Sequence, residues 1–334
     1  MNITLNPPLS LTEQGKRENN EDSIYPDQTD KNPVEGLFMV CDGVGGNEKG
    51  EVASHLACYS FAEYIAHNKS KEYGFSYFSD ALQSVVSEFD TYITENPQTK
   101  GMATTLTLAY FNPNGVSLVH IGDSRIYHIR QDAIAWQTKD HSFVNALVAT
   151  GAITEEEAKE HPQRNVILQA ITGTSAKPSK PDVYECTSVE AGDYFFLCSD
   201  GILESISNED LIDILFSQAT DQEKMEIIRH RCLQSSHDNF SCILLKVKST
   251  ETETSPATSV GADLQSVPLM PPATATAGTD LQSVPPKSSK RTWIILIALI
   301  LSILLCLYFF YKILESAPFF KKPPTETFLT QITL

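Results

Sequence analysis

Residues 103–137 read ATTLTLAYFNPNGVSLVHIGDSRIYHIRQDAIAWQ. Apolar, β-branched and aromatic side chains fill 103–111, 116–121, 125–130 and 133–137, so each run reads as a short strand. The breaks between them are only Asn-Pro-Asn-Gly, Gly-Asp-Ser and Gln-Asp. Breaks this short allow hairpins and leave no room for the crossovers that parallel strands need. Working outward, 37–41, 194–198 and 241–247 read as further strands. Residues 51–68, 77–95, 208–216 and 223–234 read as helices. Helices beside hairpin sheets bury their apolar stripes on the sheet faces, which predicts a layered α+β domain over residues 1–248.

The rest of the 334-residue chain changes character twice. Residues 249–290 hold no Phe, Tyr or Trp and are rich in Thr, Ser, Ala and Pro, a composition that cannot bury a core. This segment carries a direct repeat, GADLQSVP at 261–268 and GTDLQSVP at 278–285, and reads as a duplicated linker. Residues 292–311, TWIILIALILSILLCLYFFY from Thr292 to Tyr311, have no charge and the length of a bilayer span. Trp293, Tyr308 and Tyr311 stand near its ends, where interfacial aromatics belong. A membrane helix followed by a short tail, 312–334, is therefore predicted. Lys287, Lys290 and Arg291 before the span balance Lys312, Lys321 and Lys322 after it, so flanking charge does not set the orientation. The start of the chain lacks a basic segment followed by an apolar one, and seven widely spaced cysteines with no CxxC suit a reducing compartment. Both point to a large domain facing the cytoplasm. The net charge of −17, from 42 acidic and 25 basic residues, argues against a nucleic-acid partner.

Four aspartates abut apolar runs: Asp42 in Asp-Gly-Val-Gly-Gly, Asp123 in Gly-Asp-Ser-Arg, Asp200 in Ser-Asp-Gly and Asp238 in Asp-Asn. Each alone reads as a turn residue. If they converge, their mutual repulsion calls for bound cations, and oxygen ligands without Cys or His suit Mg²⁺ or Mn²⁺. Glycines 43, 45 and 46 would let a backbone carbonyl join the ligands. Upstream, Arg17-Glu18-Asn19-Asn20-Glu21-Asp22 offers a guanidinium fork suited to phosphate beside adjacent carboxylates, or else a plain charged turn.

Taken in order, Arg17-x-x-Asn20-Glu21-Asp22, Asp42-Gly-Val-Gly-Gly, Gly101-Met-Ala-Thr-Thr, Gly122-Asp-Ser-Arg, Asp140-His-Ser, Ser199-Asp-Gly and Asp238-Asn resemble the motifs of the PP2C (PPM) metal-dependent protein phosphatases in their bacterial form, over residues 10–247. The resemblance implies a four-layer αββα sandwich of two packed antiparallel sheets flanked by helices. It also implies hydrolysis of phosphoserine and phosphothreonine in proteins by a hydroxide shared between two Mn²⁺ or Mg²⁺ ions. By the same resemblance Asp42 would bridge the ions, the Gly43 carbonyl would join one of them, and Asp200 and Asp238 would hold the first. Glu21 would bind the second with support from Asp22, Asp123 would belong to a third, weaker site, and Arg17 would hold the substrate phosphate. Val44 stands where animal members often have His, which removes one candidate general acid. His141 reads as structural. Residues 142–165 resemble the family's flap, with Thr154 and Glu157 predicted to form a capping box. The partners implied are phosphorylated proteins, Ser/Thr kinases or their targets. Two other readings remain open: a silent scaffold with the same fold, and a phosphatase of a small phosphate ester.

Overall fold

The structure, a computed structural model, describes residues 1–44, 49–173 and 179–251. The repeat, the apolar stretch 292–311, the tail 312–334 and glycines 45 and 46 lie outside the described residues. In chain order the strands are β1 (Asn2–Leu5), β2 (Leu9–Glu13), β3 (Asp22–Tyr25), β4 (Leu37–Val44), β5 (Ala103–Thr104), β6 (Leu106–Asn112), β7 (Gly115–Ile121), β8 (Arg125–Arg130), β9 (Ala133–Gln137), β10 (Ile171–Thr172), β11 (Asp182–Cys186), β12 (Tyr194–Cys198) and β13 (Phe240–Glu251). The helices are α1 (Gly50–His67), α2 (Phe75–Glu95), α3 (Phe143–Ala149), α4 (Glu155–Lys159), α5 (Asp200–Leu203), α6 (Asn208–Leu215) and α7 (Asp221–Ser235).

The strands form two antiparallel sheets. One runs β1-β13-β12-β8-β9 with β2 also on β13; the other runs β10-β5-β4-β6-β7-β11 with β3 also on β4. The hairpins predicted between β6 and β7 and between β8 and β9 form, but the turn at Gly122-Asp-Ser carries the chain from one sheet to the other.

Side-chain alternation along the strands gives the layering. On β4, Leu37, Met39 and Cys41 enter a core shared with α1 and α2, while Phe38 and Val40 enter a second core. On β12, Phe195 and Leu197 join that second core from the other sheet, and Tyr194, Phe196 and Cys198 face a third core with α5, α6 and α7. Successive side chains of a strand point to opposite faces, so a strand buried along its whole length must lie between two layers. Three cores separated by two sheets make four layers, αββα. The α2 stripe Phe78, Ala81, Leu82, Val85, Phe89 and Ile93 is buried at helical spacing, which seats it on the sheet containing β4.

Strands β1, β2 and β3 escaped the sequence reading because each is four or five residues long and mixes polar with apolar residues. They matter to the boundary: β1 pairs Asn2 to Leu5 against Glu251 to Val247, so β13 extends past residue 248, where the domain was expected to end. The predicted strand 103–111 is split at Thr105, whose N–H leaves the ladder to donate to the Asp42 carbonyl (2.9 Å). The capping box of α4 forms as expected, with Thr154 Oγ1 accepting from Glu157 N and Glu157 Oε2 accepting from Thr154 N.

Candidate metal and phosphate site

Asp42 lies near the end of β4 and faces Asp22 of β3 directly across the ladder. Like charges in that position repel. Asp200 opens α5 immediately after β12, a helix start where only a strand end was expected, with Ser199 as its N-cap residue. There it is in hydrogen-bonding contact with Asp42 and close enough to Asp238 to feel its charge. Asp123, in the turn between the sheets, also acts on Asp42. The structure thus brings Asp22, Asp42, Asp123, Asp200 and Asp238 together from residues more than two hundred positions apart.

Close backbone packing sets the geometry. A Cβ on Gly43 would run into the Gly50 carbonyl and lie 2.6 Å from the Glu21 carbonyl oxygen, and one on Gly201 would run into the Asn239 carbonyl. Gly43 N donates to Glu21 O at 3.1 Å, placing the loop after β2 against the end of β4. Thr104 Oγ1 donates to the Asp42 carbonyl (2.8 Å), and the Asp42 N–H donates to Thr105 Oγ1 (3.0 Å). Asn239 fixes the same loop three ways: Oδ1 accepts from Glu21 N (2.9 Å), and Nδ2 donates to Gln14 O (2.8 Å) and Asn19 O (2.7 Å). Ser199 Oγ donates to Asp22 Oδ2 (2.8 Å) and accepts from Ser241 N (2.9 Å). Thr105 and Ser199 stood inside family motifs and Ser241 did not, but the hydrogen-bonding role of all three was hidden in the sequence, because a hydroxyl reveals its partner only once the strands are paired.

Burial and mutual repulsion hold these carboxyls toward the neutral form. Asp22 is pushed up to about 7, first by burial and then, against hydrogen bonds from Ser241 and Ser199, by Asp200 and Asp238. Asp123 is pushed up to about 7 by burial and by Asp200, and Asp200 to about 6 by burial and by Asp238. Asp42 is held well above the usual carboxylate range by burial and by Asp22, Asp200 and Asp123. Glu21 is raised by burial and by Glu51. Two buried oxygens, Asp22 Oδ1 and Asp123 Oδ1, have no hydrogen-bond partner among the described residues. Crowded carboxylates with orphaned oxygens cost stability unless cations engage them. The all-oxygen donor set fits Mn²⁺ or Mg²⁺.

Arg17 stands at the rim with about half its side chain exposed and donates from Nη2 to Asp238 Oδ2 at 2.6 Å. A polar groove of about 450 Å³ lies there, lined by Arg17, Glu18, Asn19, Glu21, Lys49, Glu51 and Asn239. Its lining thus combines the cationic Arg17 and Lys49 with the anionic Glu18, Glu21 and Glu51. His141 does not join the cluster. Its backbone N–H donates to Gly122 O (2.7 Å), and its Nδ1 accepts from Gly122 N (3.2 Å), which ties it to the turn that carries Asp123.

The chain belongs to the protein phosphatase 2C family, whose profile matches residues 13–233. Among its relatives, the serine/threonine protein phosphatase PstP of Mycobacterium tuberculosis is 34% identical over 234 residues, 69% of this chain and 43% of PstP. The chain thus matches less than half the length of that relative. Protein phosphatase PhpP of Streptococcus pneumoniae is 31% identical over 255 residues, covering 73% of this chain and 98% of PhpP. The crystal structure of the PstP catalytic domain in complex with two manganese ions superposes with a TM-score of 0.61 at 31% identity, over 74% of this chain and all of that domain.

Proposed function

We propose that this chain is a metal-dependent protein serine/threonine phosphatase. The observation that carries the reading is the convergence of Asp22, Asp42, Asp123, Asp200 and Asp238 beneath a rim held by Arg17. Asp42, the Gly43 carbonyl, Asp200 and Asp238 would hold one ion, and Asp42 with Glu21, backed by Asp22, a second; Asp123 would serve a third, weaker position. Bound there, such ions act as Lewis acids on phosphoryl oxygens and lower the pKa of water.

The chain's own residues supply the rest. Arg17 engages Asp238 through one nitrogen of its fork, and the guanidinium at the groove mouth can bind two oxygens of a phosphoryl group. That contact orients the phosphorus over the carboxylate cluster and offsets charge that grows in the transition state. The tight Gly43 and Gly201 contacts keep the ligand-bearing ends of β4 and α5 from drifting, so positioning requires little reorganisation. Val44 gives no proton, and the leaving alkoxide takes one from a group other than that position.

The reading extends to the cell. Residues 292–311 would anchor the enzyme in a membrane with its catalytic domain toward the cytoplasm, where it would oppose Ser/Thr kinases or act on their targets. The uncharged run supports the anchor, and the protein phosphatase names of PstP and PhpP fit substrates phosphorylated by Ser/Thr kinases. Among the described residues no helix is long and apolar enough to cross a membrane, so the anchor rests on 292–311 alone.

The test is hydrolysis of a phosphothreonine peptide by the full chain with Mn²⁺, with Mg²⁺ and with EDTA, beside Asp42→Asn. Activity that needs the metal and falls by about 10³-fold or more in the variant is expected. A folded, metal-supplied chain inert on several phosphopeptides would overturn the reading. Protease applied to intact cells should leave the large domain uncut; its removal would reverse the orientation.

A further inference from the structure

A further group of metal-ligating side chains is His120, His141 and Asp182. His120 of β7 and Asp182 of β11 are direct cross-strand partners. His141 is drawn to the same place by its two hydrogen bonds with Gly122. One ligand atom from each of the three lies within 4.8 Å of the others. The His120 and His141 rings are 4.7 Å apart, and His141 Nε2 is 3.1 Å from Asp182 Oδ2. His120 is 1% exposed, and among the described residues its ring nitrogens find no well-formed hydrogen bond, although the Ser124 backbone lies close enough to favour its charged form. A buried imidazole so poorly paired is costly and wants a ligand. An open groove of about 500 Å³ reaches His120 and Asp182 between Phe75 and the stacked rings of Trp136 and Tyr184, which gives an entry path.

We propose that His120, His141 and Asp182 form a second metal site, separate from the Asp42 cluster, that takes a divalent ion of the Zn²⁺ type. Two imidazoles and one carboxylate are the donors of such ions, whereas the all-oxygen Asp42 cluster suits Mn²⁺ or Mg²⁺. Tetrahedral bonds of about 2.0–2.1 Å put neighbouring ligand atoms about 3.3 Å apart, close to the His141–Asp182 spacing. The fourth position opens to water in the groove. Burial holds His120 in its neutral form, pushed down to about 4, so a lone pair is available.

His141 sets the condition for binding. Because its Nδ1 accepts the Gly122 N–H, its proton sits on Nε2 and is donated to Asp182. The ion replaces that proton between Nε2 and Oδ2, the proton passes to Nδ1, and the ring gives up the Gly122 amide. Occupancy at this site therefore reaches the turn that carries Asp123.

Co²⁺ is the probe, because four-coordinate Co²⁺ with nitrogen ligands absorbs visible light far more strongly than six-coordinate Co²⁺ among oxygens. The full chain, Asp42→Asn and Asp182→Asn are titrated with Co²⁺. Asp182 is 70% exposed at its side chain, so its substitution leaves the fold intact. The wild type and Asp42→Asn should develop the intense bands, and Asp182→Asn should lose them; Zn²⁺ should then bleach the bands at one equivalent. Absence of the bands from the wild type, or their survival in Asp182→Asn, overturns the proposal.

Discussion

Asp123→Asn should make the chain more stable in EDTA, and the gain should grow with pH. In the folded chain the Asp123 carboxyl is pushed from 3.8 up to about 7 by burial and by Asp200. The folded state thus keeps its proton after the unfolded state has lost it. Stability is greatest below the unfolded value and falls as pH rises toward 7, beyond which the loss is complete. Over that whole interval, roughly three pH units at 1.36 kcal/mol each, the cost is about 4 kcal/mol. Between pH 5.5 and 8 the part still to be lost is about 2 kcal/mol. Asn cannot titrate, so the variant escapes this loss, and removing the charge also eases the repulsion on Asp42, which acts in the same direction. Urea unfolding of wild type and variant in EDTA at pH 5.5, 7 and 8 reads the difference directly. The gap between the two midpoints should widen with pH and narrow when Mn²⁺ is added, since an ion bound only to the folded wild type stabilises it by mass action. Parallel pH profiles would mean that Asp123 is not strained by its neighbours, and the argument that the cluster needs cations would fail with it.

Two further outcomes follow from packing and charge. Gly201→Ala should cost about 3 kcal/mol or more in urea unfolding and lower phosphatase activity, because its Cβ would strike the Asn239 carbonyl, a backbone atom that cannot move aside. The buried His128 Nε2 lies 2.9 Å from Asp193 Oδ2, and Asp193 also takes two bonds from Arg130. Burial opposes a charge on His128, but Asp193 outweighs it and raises the imidazole to about 9. A raised pKa stabilises fully below 6.5 and is lost as pH climbs through 9, so the wild type should lose about 3 kcal/mol over that range. Asp193→Asn should show little of that slope and be less stable at neutral pH; an unchanged slope would refute the pairing.

The family motifs and the run of strands at 103–137 were legible in the chain because both depend on near neighbours. An aspartate after an apolar run, a glycine beside it and a two-residue hairpin break are local facts of chain geometry, and so are the capping residues Thr154 and Glu157. Strands β1 to β3 were not legible, since four or five residues of mixed polarity gain their order from the partners they pair with. The transfer of the chain between sheets at Gly122-Asp-Ser was hidden for the same reason: a short break permits a hairpin, and only packing decides whether one forms. The extension of β13 to Glu251 likewise depends on β1, which begins at the opposite end of the chain.

By itself the sequence determined the order of the family motifs and the antiparallel α+β character of the domain. Only the tertiary structure decided that Asp22 faces Asp42, that Ser199 and Asn239 hold the ligand-bearing loops, and that His120, His141 and Asp182 meet. The physical reason is range. Backbone propensity and turn chemistry act over a few residues and leave their mark in order and spacing. Charge repulsion, desolvation and hydrogen bonding across strands act between groups that folding alone brings within a few ångströms, and their signs depend on which neighbours arrive.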